Sequence, residues 1–240
     1  AHNALLLDPE NPLALAFYAE VLVDQEKPDR ALDYSMRAVE LRPDSLDTHR
    51  VHAAVLENQG QYEAAIEEYE KAINLNPNLT FLHIRVGEIY RKLGDYDRSL
   101  EYFGEAISTN TANQVEDPQP YLGIAETYSQ MKDYVSAAAN TEQALAIDPT
   151  NSHIYGQLGI LYTRARDYES ALPVLSCPVK GCSVEDVNQL LAELLPGTAV
   201  EAKEPVDQIS LTSVEAATYY VHYGSVLAAL SAQGNDTCPQ

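Results

Sequence analysis

The sequence predicts an all-α protein, a solenoid of stacked helical hairpins with a degenerate C-terminal part. Three observations carry that prediction. Prolines stand at Pro9, Pro43 and Pro77, 34 residues apart each time, and Pro149 follows 72 residues on, two periods plus four. The residues leading into these prolines repeat as a phrase: SMRAVELRPD at 35–44, YEKAINLNPN at 69–78, TEQALAIDPT at 141–150. Between the prolines, apolar residues recur at three- and four-residue steps, the spacing of one helix face. A fixed period of this size marks a repeat architecture in which each unit covers the apolar face of its neighbour.

Taken in order, residues 1–9 read as the end of a preceding unit. With no initiator Met in front of AHNALLLDP, the chain is expected to be a piece of a longer protein. Five units then cover 10–182, at about 10–43, 44–77, 78–111, 116–149 and 150–182. The first places Tyr18, Ala19 and Leu22 on one helix and Ala31, Ala38 and Val39 on the next. The second runs through Val51, Ala53, Val55 and Leu56 to the breaker Gly60, then Tyr62, Ala65, Ile66, Tyr69, Ala72 and Ile73. The third has Val86, Gly87, Ile89 and Tyr90, the turn GDY at 94–96, then Leu100, Phe103, Ala106 and Ile107. The fourth repeats this around KDY at 132–134 and the fifth around RDY at 166–168. The third unit lacks its closing proline, and a four-residue insertion near QVEDPQP lengthens the turn after it. In the fifth, Pro173 falls inside the second helix, where a proline is expected to break or kink it. Residues 183–211 read as a connection, one helical stretch followed by irregular chain. Residues 212–240 read as the first helix of a further, truncated unit.

With the units aligned, the sequence resembles the tetratricopeptide-repeat (TPR) family. The resemblance rests on a 34-residue helix–turn–helix with a small residue in mid helix A (Ala53, Gly87, Ala125, Gly159), the Gly-Asp-Tyr-like turn, an early Ala in helix B (Ala65, Ala137, Ala171) and the closing proline. It implies a right-handed superhelix of paired helices, and a concave groove lined by helix A. Carried onto this sequence, the groove slots give Asp47 and Arg50, then Phe81, Ile84, Glu88, Arg91 and Lys92, then Leu122 and Glu126. The Lys and Asn set with which cochaperone members grip acidic C-terminal tails is not reproduced, since the first unit offers Ala16 and Glu20 instead.

Charge narrows the partner class. The formal balance is −21, from 36 acidic and 15 basic residues. Nucleic acid and anionic membrane surfaces repel such a chain, and no window is long and apolar enough for membrane insertion. The three cysteines, Cys177, Cys182 and Cys238, leave open a bond within CPVKGC, a bond to Cys238, or free thiols. A bonded pair would point to an extracytoplasmic parent, and otherwise a cytoplasmic one is favoured. Asn78 and Asn235 begin glycosylation sequons.

His49 and His52 stand three apart on one helix, a spacing that can support a metal, but both occupy packing slots of the repeat. A C-x4-C pair lacks two of the ligands zinc needs. No phosphate loop, nucleophile elbow or H-E-x-x-H motif is present. No metal, cofactor or catalytic set is therefore assigned, and the chain is read as a non-catalytic scaffold for a protein or peptide partner. A segment with an acidic group and an apolar anchor, met by Arg50, Arg91 and Lys92 beside Phe81, Ile84 and Leu122, is one reading of this face, set evenly against ion pairs of these charges with Glu57, Glu88 and Glu126 across neighbouring helices. The alternative is a helper or spacer region of a larger multidomain enzyme or sensor. A third expectation is self-association through the last helix, with Tyr219, Tyr220, Tyr223, Val226 and Leu227 on its open face.

Overall fold

The computed structural model describes residues 2–210 and 212–233. Among them the backbone is helical apart from turns, one long connection and an isolated antiparallel bridge between Cys182 and Val206. The chain divides into two compact units, Ala1–Val115 and Glu116–Gln240.

The first unit contains α1 (His2–Leu7), then the hairpins α2/α3 (Pro12–Asp24, Pro28–Leu41), α4/α5 (Leu46–Asn58, Tyr62–Leu75) and α6/α7 (Thr80–Leu93, Tyr96–Asn113). Each hairpin packs on itself, and each helix A also packs on the hairpin before it. One cluster joins Leu15, Ala16, Ala19, Leu22, Ala31 and Ala38 to Val51 and Val55 of the following helix. The next joins Ala53, Ala65, Tyr69 and Ala72 to Leu82, Val86 and Ile89. The small residues act as the pattern requires. A Cβ added at Gly87 would stand 3.2 Å from the Phe103 ring of the same hairpin.

The turn motif has a simple physical basis. In GDY, KDY and RDY the first residue is left-handed, at φ 79° for Gly94, 63° for Lys132 and 63° for Arg166. That conformation ends helix A and reverses the chain. The Asp is the N-cap of helix B: Asp95, Asp133 and Asp167 accept from the backbone N–H of Arg98, Ser136 and Ser170 at 3.2, 3.1 and 3.2 Å. Each thereby satisfies a donor that the helix start would leave unpaired.

The second unit contains the hairpins α8/α9 (Gln119–Gln130, Tyr134–Ile147) and α10/α11 (Ser152–Ala165, Tyr168–Lys180), then α12 (Val184–Leu194) and α13 (Val214–Ala232). Pro173 does not break its helix: α11 runs through both Pro173 and Pro178. Ala171, Val174, Leu175 and Cys177 anchor the flanking turns in the core. Pro173 and Glu169 are both exposed, so the carbonyl that loses its amide donor lies on the solvent side.

The connection over 195–210 is irregular but tied down. Ile209 N–H donates to the Pro178 carbonyl at 2.9 Å, and the Gln208 amide and the Tyr220 hydroxyl both donate to Val179 O at 2.9 Å. These bonds satisfy the open carbonyls at the end of α11. Helix α12 begins in a capping box, Ser183 with Asp186, and buries Val187 and Leu191 against α10 and α11.

Helix α13 takes the place on α10/α11 that a following helix A would take. This corrects the expectation for its open face. Tyr219 and Val226 are buried, and Tyr220, Tyr223 and Leu227 are half-buried, because that side of the helix faces α10 and α11. Its outward apolar residues are Val214 and Val221.

Candidate functional site

The expected groove residues fall in both units, Asp47 through Lys92 in the first and Leu122 and Glu126 in the second. Leu122, on α8, is half-buried against the second unit's core, and Glu126 is exposed.

In the first unit the centre of the arrangement is Glu57, at the end of α4, whose side chain is 5% exposed. Its carboxylate accepts from Arg85 Nη2 at 2.7 Å, from Lys92 Nζ at 2.9 Å and from the Tyr69 hydroxyl at 3.3 Å. Burial, with Glu57 beside it, pushes the Tyr69 hydroxyl up to about 12. Burial acts to lower Arg85, but Glu57, Tyr69 and Glu88 together outweigh it and the guanidinium is held above its ordinary value. Arg85 also donates to Glu88 at 2.9 Å. Two cations thus close over one buried carboxylate, each with nearly half of its side chain in solvent.

Phe81 lies one turn before Arg85 on α6 and is 44% exposed, with Ile84 half-buried beside it. Arg50 is engaged by acidic neighbours, 2.8 Å from Glu20 and 3.7 Å from Asp47. The Arg91 guanidinium lies 5.8 Å from the Phe103 ring centre, and Lys92 Nζ lies 5.8 Å from that of Tyr62. The charges of this face are therefore ordered by contacts within the unit. Arg85 was missed by slot counting, because it sits one residue past a groove slot. Its three-residue spacing to Glu88 was the available signal.

The histidines are packing residues with defined partners. His49 is buried, with Nδ1 2.6 Å from Glu68 and Nε2 2.7 Å from the Pro43 carbonyl. His52 Nδ1 lies 2.9 Å from the Ser35 hydroxyl, and burial lowers its proton affinity. Among the described residues, no group of three or more His, Cys, Asp or Glu is placed to hold a metal ion. In the second unit Cys177 and Cys182 form a disulfide across a Cα separation of 4.8 Å, while Cys238 lies outside the described residues, as does the sequon at Asn235. Asn78 of the other sequon is exposed.

Comparison with known proteins finds repeat models along much of the chain. A tetratricopeptide-repeat model matches residues 82–113 and 118–151, a second matches 141–172, and the model for anaphase-promoting complex, cyclosome, subunit 3 matches 1–72. No curated protein matches the sequence. Among solved structures, yeast Tom70 superposes with a TM-score of 0.66 at 15% identity, over 98% of this chain and 45% of that one. The chain thus spans under half of Tom70. MamA from Desulfovibrio magneticus RS-1 superposes with a TM-score of 0.59 at 17% identity, over 76% of this chain and 97% of that one. YrrB, described as a TPR protein with an unusual peptide-binding site, gives 0.55 at 18% identity, over 83% and 94%. At such identities the superpositions speak for the fold alone. The proline period, the Asp-capped turns of the last three hairpins and the repeat models that match 82–113 and 118–172 together identify this chain as a tetratricopeptide-repeat protein.

Proposed function

We propose that this chain is a non-catalytic interaction scaffold, and that its first unit receives an extended segment of a partner protein along α4 and α6. One observation carries the reading: Phe81 stands exposed one turn before Arg85, and a buried carboxylate holds Arg85 and, further along the same helix, Lys92 in place. An apolar anchor next to fixed, half-solvated charges is what a peptide with an apolar side chain and an acidic neighbour would use. Because Glu57 fixes Arg85 and Lys92 in advance, little side-chain entropy is lost when they are met. The peptide-binding site described for YrrB, a protein of the same fold, supports the choice of ligand class. The engagement of Arg50 by Glu20 moves the weight of the site from Arg50 toward Arg85 and Phe81.

The test is site-specific photocrosslinking in an extract of the source organism. A photoreactive residue replaces Phe81 in one sample and Glu101, exposed on α7, in another. A partner crosslinked from position 81 and not from 101 supports the reading. Equal crosslinking from both, or none from either, removes the groove from consideration and favours the spacer alternative.

A further inference from the structure

The slot occupied by His49 recurs, and so does its geometry. His83, one hairpin later, has Nδ1 2.9 Å from Glu105 and Nε2 3.1 Å from the Pro77 carbonyl. In the second unit Tyr155 fills the same slot, and its hydroxyl donates to the Pro149 carbonyl at 3.0 Å. Each side chain reaches six residues back to the carbonyl of the proline that closes the preceding hairpin. The slot therefore supplies a donor that ties one hairpin to the next.

Histidine meets that demand only under a condition. A carbonyl oxygen accepts and cannot donate, and a carboxylate likewise. A neutral imidazole has a single N–H, so one of its nitrogens would point a lone pair at an oxygen lone pair. At His49 the two oxygens are 2.6 and 2.7 Å away, and its side chain is only 5% exposed, so water cannot intervene easily. Glu68 keeps its charge. Burial acts to raise it, but the hydrogen bonds and charges of Lys71 and His49 together hold it below the ordinary carboxylate range.

We propose that the first unit is closed by two proton-dependent clasps, His49 and His83, each donating from both ring nitrogens, so that losing one proton loosens the joint to the preceding hairpin. Around His49 the titratable or charged neighbours are Glu68 and Lys71 from α5 and His52 from its own helix. Around His83 they are Glu105 and Tyr102 from α7. The sign follows from the proton count. The closed joint holds a proton that the opened one releases, so closure is favoured at lower pH and weakens as pH rises across the range tested. At Tyr155 the donor is a hydroxyl that stays protonated there, because burial raises it well above its ordinary value. The second unit is the built-in control.

The experiment uses the full chain. Imidazole proton–nitrogen correlation spectra at pH 6 should show two N–H groups on His49 and on His83. Hydrogen exchange, corrected for its intrinsic pH dependence, should show the opening of 44–56 and 78–90 rising by up to about tenfold per pH unit for each proton linked. Residues 152–163 should show no such rise. His49→Tyr and His83→Tyr, which copy the Tyr155 arrangement, should flatten the response of their own hairpins. A single N–H on each ring at pH 6, or the same pH profile at Tyr155 as at the two histidines, overturns the proposal. If a tyrosine variant fails to fold, the wild-type spectra and the comparison with 152–163 decide it alone.

Discussion

Gly156, on α10, faces the ring of Tyr219 on α13. A Cβ added there would stand 2.5 Å from both Cε atoms and closer still to Cζ. In an isolated helix Gly156→Ala should be favourable by about 1 kcal/mol, since glycine loses the most backbone freedom on folding. Here the added methyl enters a filled site. Tyr219 is 3% exposed and is packed with Val179, Ile209 and Ala216, so the ring cannot swing aside. Overpacking of this kind costs ~1–3 kcal/mol, and contact with a rigid ring puts this case at the upper end. The net expectation is a loss of about 2 kcal/mol, localised to the attachment of α13. Tyr219→Ala should itself cost about 3 kcal/mol through the cavity it leaves. In that background the space is open, and Gly156→Ala should instead gain about 1 kcal/mol. The coupling is then about 3 kcal/mol, at the top of what neighbouring residues show. Urea unfolding followed by circular dichroism reads the four stabilities, and exchange of the α13 amides locates the loss. If Gly156→Ala is equally harmful in both backgrounds, the close approach of α10 and α13 is not what requires the glycine.

Other outcomes follow from named contacts. Glu57→Gln removes the charge that holds Arg85 and Lys92 and should lower the stability of the first unit by about 2 kcal/mol in urea titration. That figure lies below the usual cost of breaking a buried pair because both cations are nearly half solvated. Lys132→Gly and Arg166→Gly place glycine where the backbone is left-handed, and each should raise stability by about 1 kcal/mol, read as a higher melting midpoint. Reducing the Cys177–Cys182 bond with dithiothreitol should cost about 2 kcal/mol from loop entropy, seen as faster exchange over 178–210. In an alkaline absorbance titration, Tyr69 and Tyr219 should deprotonate near 12, since burial raises both, Glu57 adding to it at Tyr69 and Glu215 at Tyr219. The folded state holds protons there that the unfolded chain has lost, so stability should fall between about pH 10 and 12.

The hairpins were legible in the sequence because the signals that make them are local. The left-handed residue, the capping Asp and the closing proline act within a few residues, and the apolar stripe repeats each time. The charge pattern of the candidate surface was legible only as one of two even readings, because Glu57 collects its cations from 28 and 35 residues away. Slot counting names positions but not which side chains reach one another. Pro173 misled for a related reason. The cost of a proline depends on whether the freed carbonyl is buried, and that depends on which way the helix is turned. The side of α13 that packs was hidden too, since tyrosines serve equally at a buried face and an open one. Pairing of Cys177 with Cys182 likewise required the turn at Gly181, which the spacing alone leaves undetermined.

The connection between α11 and α13 also affects how the chain is made. Helices in the first unit pack on neighbours that follow within a turn, so each hairpin is covered soon after it leaves the ribosome. The face of α10 and α11 that receives α13 has to wait for residues 181–213 and then for α13 itself. At roughly 5–20 residues per second that interval lasts several seconds. During it Gly156, Ala171 and Leu175 present an uncovered apolar groove, while α12 can already close the other side of the hairpin. The length of this connection therefore sets how long a nascent chain exposes a sticky surface to chaperones and to neighbouring polysomes. Shortening it would change the timing of folding before it changed the folded structure.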